Sequence, residues 1–283
     1  MNFISILTMP FQFSFMNNAF LIVLLITIPA ALLSCLLVLK GWALMGDAMS
    51  HAVFPGVVIA YVYDLPLAVG AFTAGMVCAI TTGFLKNNSR IKHDTAMGIV
   101  FSGMFALGLV IYVKVESSIH LQHILFGDML GIGKSDLKEA AVIAVSTVLF
   151  IFLLWKDLML HTFDAIQAKV SGLNSRMLHY GLLCFLAMNI VCALKAVGIT
   201  LSISLFIAPG AIAFLLVRTF RSMLIISVVV GLICGLLGVY LSFFLDSAPG
   251  ATIALCFALI FMVVFIAVKL RIKNIRLLSQ VHG

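Results

Sequence analysis

The chain has 283 residues, of which 64% are hydrophobic and only 10% are charged, and its mean hydropathy is +1.25. A soluble domain carries roughly 25% charged residues, so this composition excludes a globule in water and indicates an outer surface that faces lipid. The formal net charge of +7 would suggest a nucleic-acid partner in a soluble protein. Here the basic residues flank apolar runs, where topology and anionic lipid account for them, and we expect membrane lipid and no nucleic acid as partners.

Nine apolar runs are candidates to cross a membrane, because about 20 residues rising 1.5 Å each cover about 30 Å of hydrocarbon. The second run is the weakest, since it contains Asp47, His51 and Pro55. The sequence therefore predicts an all-α polytopic bundle of eight or nine spans that forms a single transmembrane domain over residues 1–283. In chain order the runs are 18–39, 43–62, 65–85, 95–113, 138–155, 177–197, 199–217, 222–245 and 250–268.

The distribution of Lys and Arg predicts the orientation. With nine spans and a cytoplasmic C-terminus, all but four of the 17 basic residues lie inside, so the positive-inside rule favours N-terminus out and C-terminus in. Without the second run, Lys40 would move to the wrong side. We expect Lys195, at the end of the sixth run, to snorkel towards water. The four outside are Lys114, Lys134, Lys138 and Lys195.

The second run holds the strongest candidate site. An Asp inside a span costs about 2.5–3.5 kcal/mol and is usually functional, and Asp47 and His51 share one helical face because they are four residues apart. A carboxylate beside an imidazole suits Mn, Fe or Zn, and the ring of Pro55 clashes with the carbonyl of His51, which predicts a helix break there. Two ligands are too few, so a dimer mate or water would complete the site. In the alternative interpretation, Asp47 caps the helix and His51 is hydrogen-bonded within the bundle.

The predicted external loop carries further polar residues. His120 and His123 are three residues apart and would share a helical face that could catch a metal, with Glu116 and Asp128 nearby. A solvated or partner-facing loop explains these residues more simply. The sequence alone does not choose between a metal-binding face and a solvated or partner-facing loop.

A glycine-rich stretch at the end of this loop resembles a phosphate-binding loop superficially. Five residues rather than four separate Gly127 from Gly133-Lys134, no strand precedes them, and the topology places them outside, away from ATP. We reject this site and find no other nucleotide site in the sequence. The chain is therefore not predicted to be an enzyme, and any ATP energy must come from a separate subunit.

The longest predicted internal segment, at about 156–176, is amphipathic. Phe163, Ile166 and Val170 would share a helical face. Two interpretations stay open from these residues, a helix that lies on the membrane surface and a docking element for a cytoplasmic partner. In the later runs, Gly231 and Gly235 predict a close approach of helix backbones.

The motifs together resemble the manganese/iron/zinc permeases of ATP-binding cassette importers, and most closely the second permease of manganese/chelated-iron systems. The resemblance covers essentially the whole chain, although Ala165 stands where the family often has proline. It is carried by residues 39–56, 95–104, 125–128, Phe163-Asp164, Ala168, 171–173, 195–198, 207–211 and 247–251.

The resemblance implies a dimeric permease in the bacterial inner membrane that works by alternating access. Metal would come from an extracytoplasmic binding protein and pass Asp47 and His51, and two copies of a cytoplasmic ATP-binding subunit would dock on the loop matching 162–173. Mn(II), Fe(II) or Zn(II) would be the transported substrate rather than a permanent cofactor, and the partner permease would be a second copy or a related chain. The docking residues so implied are Phe163, Asp164, Ala168, Gly172 and Leu173.

Two other classes of function compete with this interpretation. A proton-coupled secondary metal transporter needs ionisable residues on several spans, and apart from Asp47 and His51 the span interiors are almost uncharged. An intramembrane metalloenzyme needs a fuller ligand set, such as H-E-x-x-H with its general base, and the sequence offers none. Requirement for a separate ATPase distinguishes the importer from the secondary transporter.

Overall fold

The computed structural model describes residues 9–42, 44–114 and 131–281, and within them the regular structure is helical throughout. A short 3₁₀-helix at Met9–Gln12 is followed by the α-helices. The α-helices are α1 (Ser14–Lys40), α2 (Met45–Ala52), α3 (Phe54–Val62), α4 (Leu67–Asn88), α5 (His93–Lys114), α6 (Lys134–Phe163), α7 (Ala165–Val170), α8 (Ser175–Leu216), α9 (Phe220–Leu245) and α10 (Pro249–Val281). The all-α prediction is confirmed.

Eight helical segments among the described residues are long and apolar enough to cross a membrane, and Leu201–Leu216 is a shorter apolar helix. Every predicted run is helical, with the second run divided between α2 and α3 and the sixth and seventh runs both within α8. Whether the chain has eight or nine spans depends on Leu201–Leu216. The fifth span extends beyond its predicted limits of 138–155, since α6 begins at Lys134 and continues to Phe163.

Polar contacts define the two ends of the bundle. Near the start of α1, Asn18 Nδ2 donates to the carbonyl oxygen of Ile132 at 3.3 Å. In the first turn of α6, Asp136 Oδ1 lies 2.7 Å from Lys195 Nζ. We call the end of the bundle that holds these two contacts the Asp136 end. The opposite end, where four basic residues line one cavity, is the Lys40 end; the four are Lys40, Lys86, Lys169 and Arg176.

The chain reverses direction at Gly198, inside α8. Gly198 has φ 76° and ψ −179°, a backbone region that is essentially restricted to glycine. Lys195 lies at the Asp136 end, whereas Gly210 packs so closely on Ser34, late in α1, that a Cβ there would lie 2.6 Å from the Ser34 carbonyl oxygen. The segment after Gly198 therefore returns towards the Lys40 end, and the two halves of α8 run in opposite directions.

Burial separates a central layer from a peripheral one. In Met45–Val62, 72% of the residues are buried, but only 22% are buried in the most apolar stretch of α5. The comparable stretches of α6 and of Pro249–Arg271 are 22% and 17% buried. The segment that carries Asp47 and His51 thus lies in the interior, and the peripheral helices are available to lipid or to partner subunits.

Several glycines allow neighbouring helices of the bundle to pack closely. A Cβ on Gly56 would lie 2.1 Å from the carbonyl oxygen of Gly70, and a Cβ on Gly70 would lie 2.2 Å from that of Gly56, so α3 and α4 cross in backbone contact. At Gly231 and Gly235, added Cβ atoms would lie 2.8 Å from side chains of α1, so these glycines let α9 pack closely on α1.

We expect Gly70→Ala to prevent normal packing of α3 on α4. The new methyl group would meet main-chain atoms that cannot rotate away, so the destabilisation should reach at least the roughly 1–3 kcal/mol typical of overpacking. Gly83→Ala, on the same helix but with no atom within 4 Å of an added Cβ, is the matched control. Thermal unfolding of the detergent-extracted protein measures both variants, and an unchanged Tm in Gly70→Ala would contradict this packing.

Candidate metal-binding site

Asp47 and His51 contact each other on α2. Asp47 Oδ1 lies 3.3 Å from His51 Nε2, and each side chain is 30% exposed. Leu44 occupies the N-cap position, and the structure gives no side-chain cap there. The contact places a carboxylate oxygen and an imidazole nitrogen on one face of α2, as their spacing predicts.

Aromatic side chains of α5 form the wall beside His51. The ring centroids of His51 and Phe105 are 5.3 Å apart in an edge-to-face arrangement, and those of His51 and Phe101 are 6.0 Å apart. Both phenylalanines lie near the middle of α5. His51 is thus level with the middle of a membrane-spanning helix, which is deeper than the span limits from the sequence implied.

The helix that bears the pair is interrupted immediately after it. Helices α2 and α3 divide at Val53, between His51 and Pro55, as the proline predicts. On the α5 side, a Cβ on Gly108 would lie 2.6 Å from the Phe54 ring and 2.9 Å from Pro55 N. This close packing against α5 holds the chain in place immediately after the pair.

Asp47 and His51 have no further candidate ligand beside them among the described residues. Among the described residues, no group of three or more His, Cys, Asp or Glu side chains is placed to hold a metal. The six cysteines are free thiols, and three of them are buried. The external-loop candidates Glu116, His120, His123 and Asp128 lie outside the residues that the structure describes.

The predicted docking loop is a separate short helix held by local hydrogen bonds. Asp164 caps α7, since its Oδ1 accepts from Ile166 N at 2.8 Å and from Gln167 N at 2.9 Å. After the helix, Leu173 N donates to Ala168 O at 3.0 Å. These bonds return the chain to the bundle, where the Ala168 side chain is fully buried.

The apolar side chains of this loop project outwards. Phe163, Ile166 and Val170 are 66%, 76% and 78% exposed. One feature differs from the sequence prediction, because Phe163 ends α6 and only Ile166 and Val170 belong to α7. The backbone turns at Asp164 (φ −146°, ψ 98°), so the three residues do not share one continuous helix. Gly172, with φ 80°, makes the turn towards α8.

Sequence reasoning missed a charged cluster at the Asp136 end. Lys195 Nζ lies 2.7 Å from Asp136 Oδ1 and 3.1 Å from Glu139 Oε2, so it is paired rather than simply extended into water. The spacing of three residues between Asp136 and Glu139 was the available signal, but their partner on α8 is distant in sequence. Because these side chains are substantially exposed, each pair contributes at most about 1 kcal/mol.

Comparison with known proteins identifies relatives over most of the chain. The family model described as the ABC 3 transport family matches residues 12–268. The chelated iron transport system membrane protein YfeD of Yersinia pestis is 49% identical over 251 residues, which cover 89% of this chain and 84% of that protein. The manganese transport system membrane protein MntB of Synechocystis sp. is 43% identical over 87% of this chain and 80% of that protein.

A solved structure shows the same fold. A chain of PsaBC from Streptococcus pneumoniae, determined in complex with Fab, superposes with a TM-score of 0.83 at 34% sequence identity. The match covers 93% of this chain and 95% of that one. The sequence and the fold therefore both match known proteins along most of the chain.

Proposed function

This chain belongs to the ABC 3 transport family, and from that premise we propose that it is the membrane-spanning permease subunit of an ATP-driven importer of divalent metal. The observation that carries the proposal is the contact of Asp47 with His51 on a buried helix. A mixed oxygen and nitrogen donor pair is chemically suited to Mn(II), Fe(II) and Zn(II). Mn(II) and Fe(II) are favoured, because relatives are named for manganese and chelated-iron transport.

The incomplete ligand set supports a dimeric arrangement. Two donors from one chain leave most of the coordination sphere of a transition metal open, and a second permease copy or a related permease would bring two more. The metal would then pass between the protomers at the level of His51. The Phe101 and Phe105 rings would restrict water beside the path.

Energy and metal would come from separate subunits. Two ATP-binding subunits would dock on the exposed loop around α7. An extracytoplasmic binding protein would deliver metal at the Asp136 end. The Lys40 end would face the cytoplasm of a bacterial cell. The four basic residues that line one cavity there support this orientation through the positive-inside rule. It places the N-terminus outside and the C-terminus inside.

The test is uptake of radiolabelled Mn(II) into proteoliposomes that contain this chain with its candidate ATPase and permease partners. Binding protein is supplied outside, and ATP or an imposed proton gradient is supplied in turn. We expect uptake with ATP inside and none with an ATPase subunit whose nucleotide site is inactivated. Uptake that ignores ATP and follows the proton gradient would instead establish the secondary transporter.

A further inference from the structure

A cavity of about 700 Å³ opens at the Lys40 end, between α1, α4 and the region around α7. Four basic residues line it, and none of its lining residues is Asp or Glu; the basic residues are Lys40, Lys86, Lys169 and Arg176. The ion pairs found among the described residues lie elsewhere in the molecule. Topology explains why basic residues occur at this end, but it does not require four of them to surround one space without a counter-charge.

A buried histidine in the cavity wall has one ring nitrogen without a hydrogen-bond partner among the described residues. His161 is only 6% exposed, and its Nδ1 lies 3.0 Å from Ser175 Oγ. Its Nε2 is buried without a hydrogen-bond partner among the described residues. Buried polar atoms are normally satisfied. When the Ser175 hydroxyl donates to Nδ1, Nε2 carries the hydrogen. This part of the wall therefore holds a hydrogen-bond donor and no acceptor.

One basic group is held in position by an aromatic ring. Lys40 Nζ lies 4.4 Å from the centroid of the Trp42 ring, a cation–π geometry, and Trp42 is itself 7% exposed and stacked on His93. A cation would be repelled by this wall. The fixed ammonium and the remaining basic residues favour a negatively charged ligand.

The mouth of the cavity is apolar on one side. Ile80 and Phe84, which precede Lys86 on α4, line it and are 47% and 64% exposed. A basic pocket between membrane helices with an apolar side matches the chemistry of an anionic lipid, whose phosphate needs positive charge and whose chains need hydrocarbon contact. We propose that this cavity binds a phosphate group, supplied by the headgroup of an anionic phospholipid or by free phosphate. This inference goes beyond metal transport and does not rest on it.

The two tryptophans of the chain permit a direct measurement. Trp42 lines the cavity, and Trp155 lies in a different groove between α6 and α9. In a Trp155→Phe background, Trp42 emission reports on the cavity alone. The full chain in neutral detergent is titrated with short-chain phosphatidylglycerol, with phosphatidylcholine of the same chain length, and with inorganic phosphate. We expect a saturable change with phosphatidylglycerol at concentrations where phosphatidylcholine gives none.

A matched pair of double variants tests the charge requirement. Lys86→Gln with Arg176→Gln changes two exposed residues of the cavity, and Lys156→Gln with Arg221→Gln makes the same charge change in the other groove. The first pair should weaken phosphatidylglycerol binding on the order of 30-fold, since two basic contacts are lost, and the second should leave it nearly unchanged. Native mass spectrometry of the same samples counts the bound lipid independently of fluorescence.

The outcomes separate the sources of the anion. A response to inorganic phosphate that competes with phosphatidylglycerol keeps the anion site and identifies free phosphate as a ligand. Equal binding of the two lipids, or equal binding by both double variants, overturns the proposal. Binding of neither phosphate source, with Trp42 responding only when the ATPase subunit is added, also overturns it and assigns the cavity to a subunit interface.

Discussion

Asp47→Asn is expected to lower ATP-dependent Mn(II) uptake on the order of 100-fold or more. The substitution keeps the shape of the side chain and removes its charge from a pair whose partner, His51 Nε2, is 3.3 Å away. Loss of a residue that only supports a metal ligand already costs about 10–100-fold, so loss of a ligand should cost at least as much. Initial uptake rates in the reconstituted system measure the effect, and His51→Ala should behave similarly.

The control for this prediction is Ser50→Ala on the same helix. Ser50 is buried, and its hydroxyl donates to the Gly46 carbonyl oxygen at 2.7 Å within the helix, so its removal tests packing near the site without changing the donors. We expect its uptake to stay close to wild type. Basal ATP hydrolysis should persist in Asp47→Asn if the subunits still assemble. Uptake that continues in the Asp47→Asn, His51→Ala double variant would return the pair to a structural role.

The composition predicted the helical architecture because a membrane leaves few choices. Backbone groups in hydrocarbon must be bonded within the segment, so an apolar run of sufficient length becomes a helix. The limits were less accurate where a helix continues beyond the hydrocarbon. The run at 138–155 ends just before Lys156 in the sequence, but α6 continues to Phe163 because Leu158 and His161 are buried against the bundle. A charged residue such as Lys156 indicates where a span leaves the hydrocarbon, but the helix can continue beyond it.

The reversal at Gly198 lies where the sixth predicted run ends and the seventh begins, although hydropathy alone does not require it. The apolar pattern continues almost unchanged from one half of α8 to the other, and only a positive φ at one glycine separates them. Glycine is compatible with this conformation but also with a continuous helix. The choice depends on packing between residues distant in sequence, such as Gly210 against Ser34.

The contact within the candidate site could be predicted from local sequence spacing, but its position in the bundle depends on tertiary packing and could not. A spacing of four residues was enough to predict the contact of Asp47 with His51, whereas its depth depends on packing against Phe101 and Phe105 of α5. The same distinction holds for α7. Asp164 is a favourable N-cap residue, a local signal that the prediction of one face shared with Phe163 did not use. The outward direction of Ile166 and Val170 depends on the whole bundle.

Ile166→Asp with Val170→Asp is expected to abolish ATP-dependent uptake by removing the ATPase subunit. Both side chains are apolar and more than three-quarters exposed on a helix that Asp164 holds in place, a combination suited to the apolar anchors of a protein interface. Each such anchor typically contributes about 2 kcal/mol or more when truncated, so the combined loss in affinity should exceed about 100-fold. Copurification of the ATPase with the tagged permease in detergent measures binding, and proteoliposome uptake measures its consequence.

Gln167→Asp supplies the matched control, since it also adds a negative charge to α7 but replaces a polar, exposed side chain. We expect the ATPase to remain bound to this variant. Copurification in detergent also distinguishes the two interpretations of the loop. If α7 only rests on the membrane surface, the Ile166→Asp, Val170→Asp variant will retain its ATPase as the wild type does. Docking instead predicts that the ATPase is lost while the permease itself keeps its Tm, because neither side chain packs in the core and the hydrogen bonds that hold α7 involve Asp164 and the backbone.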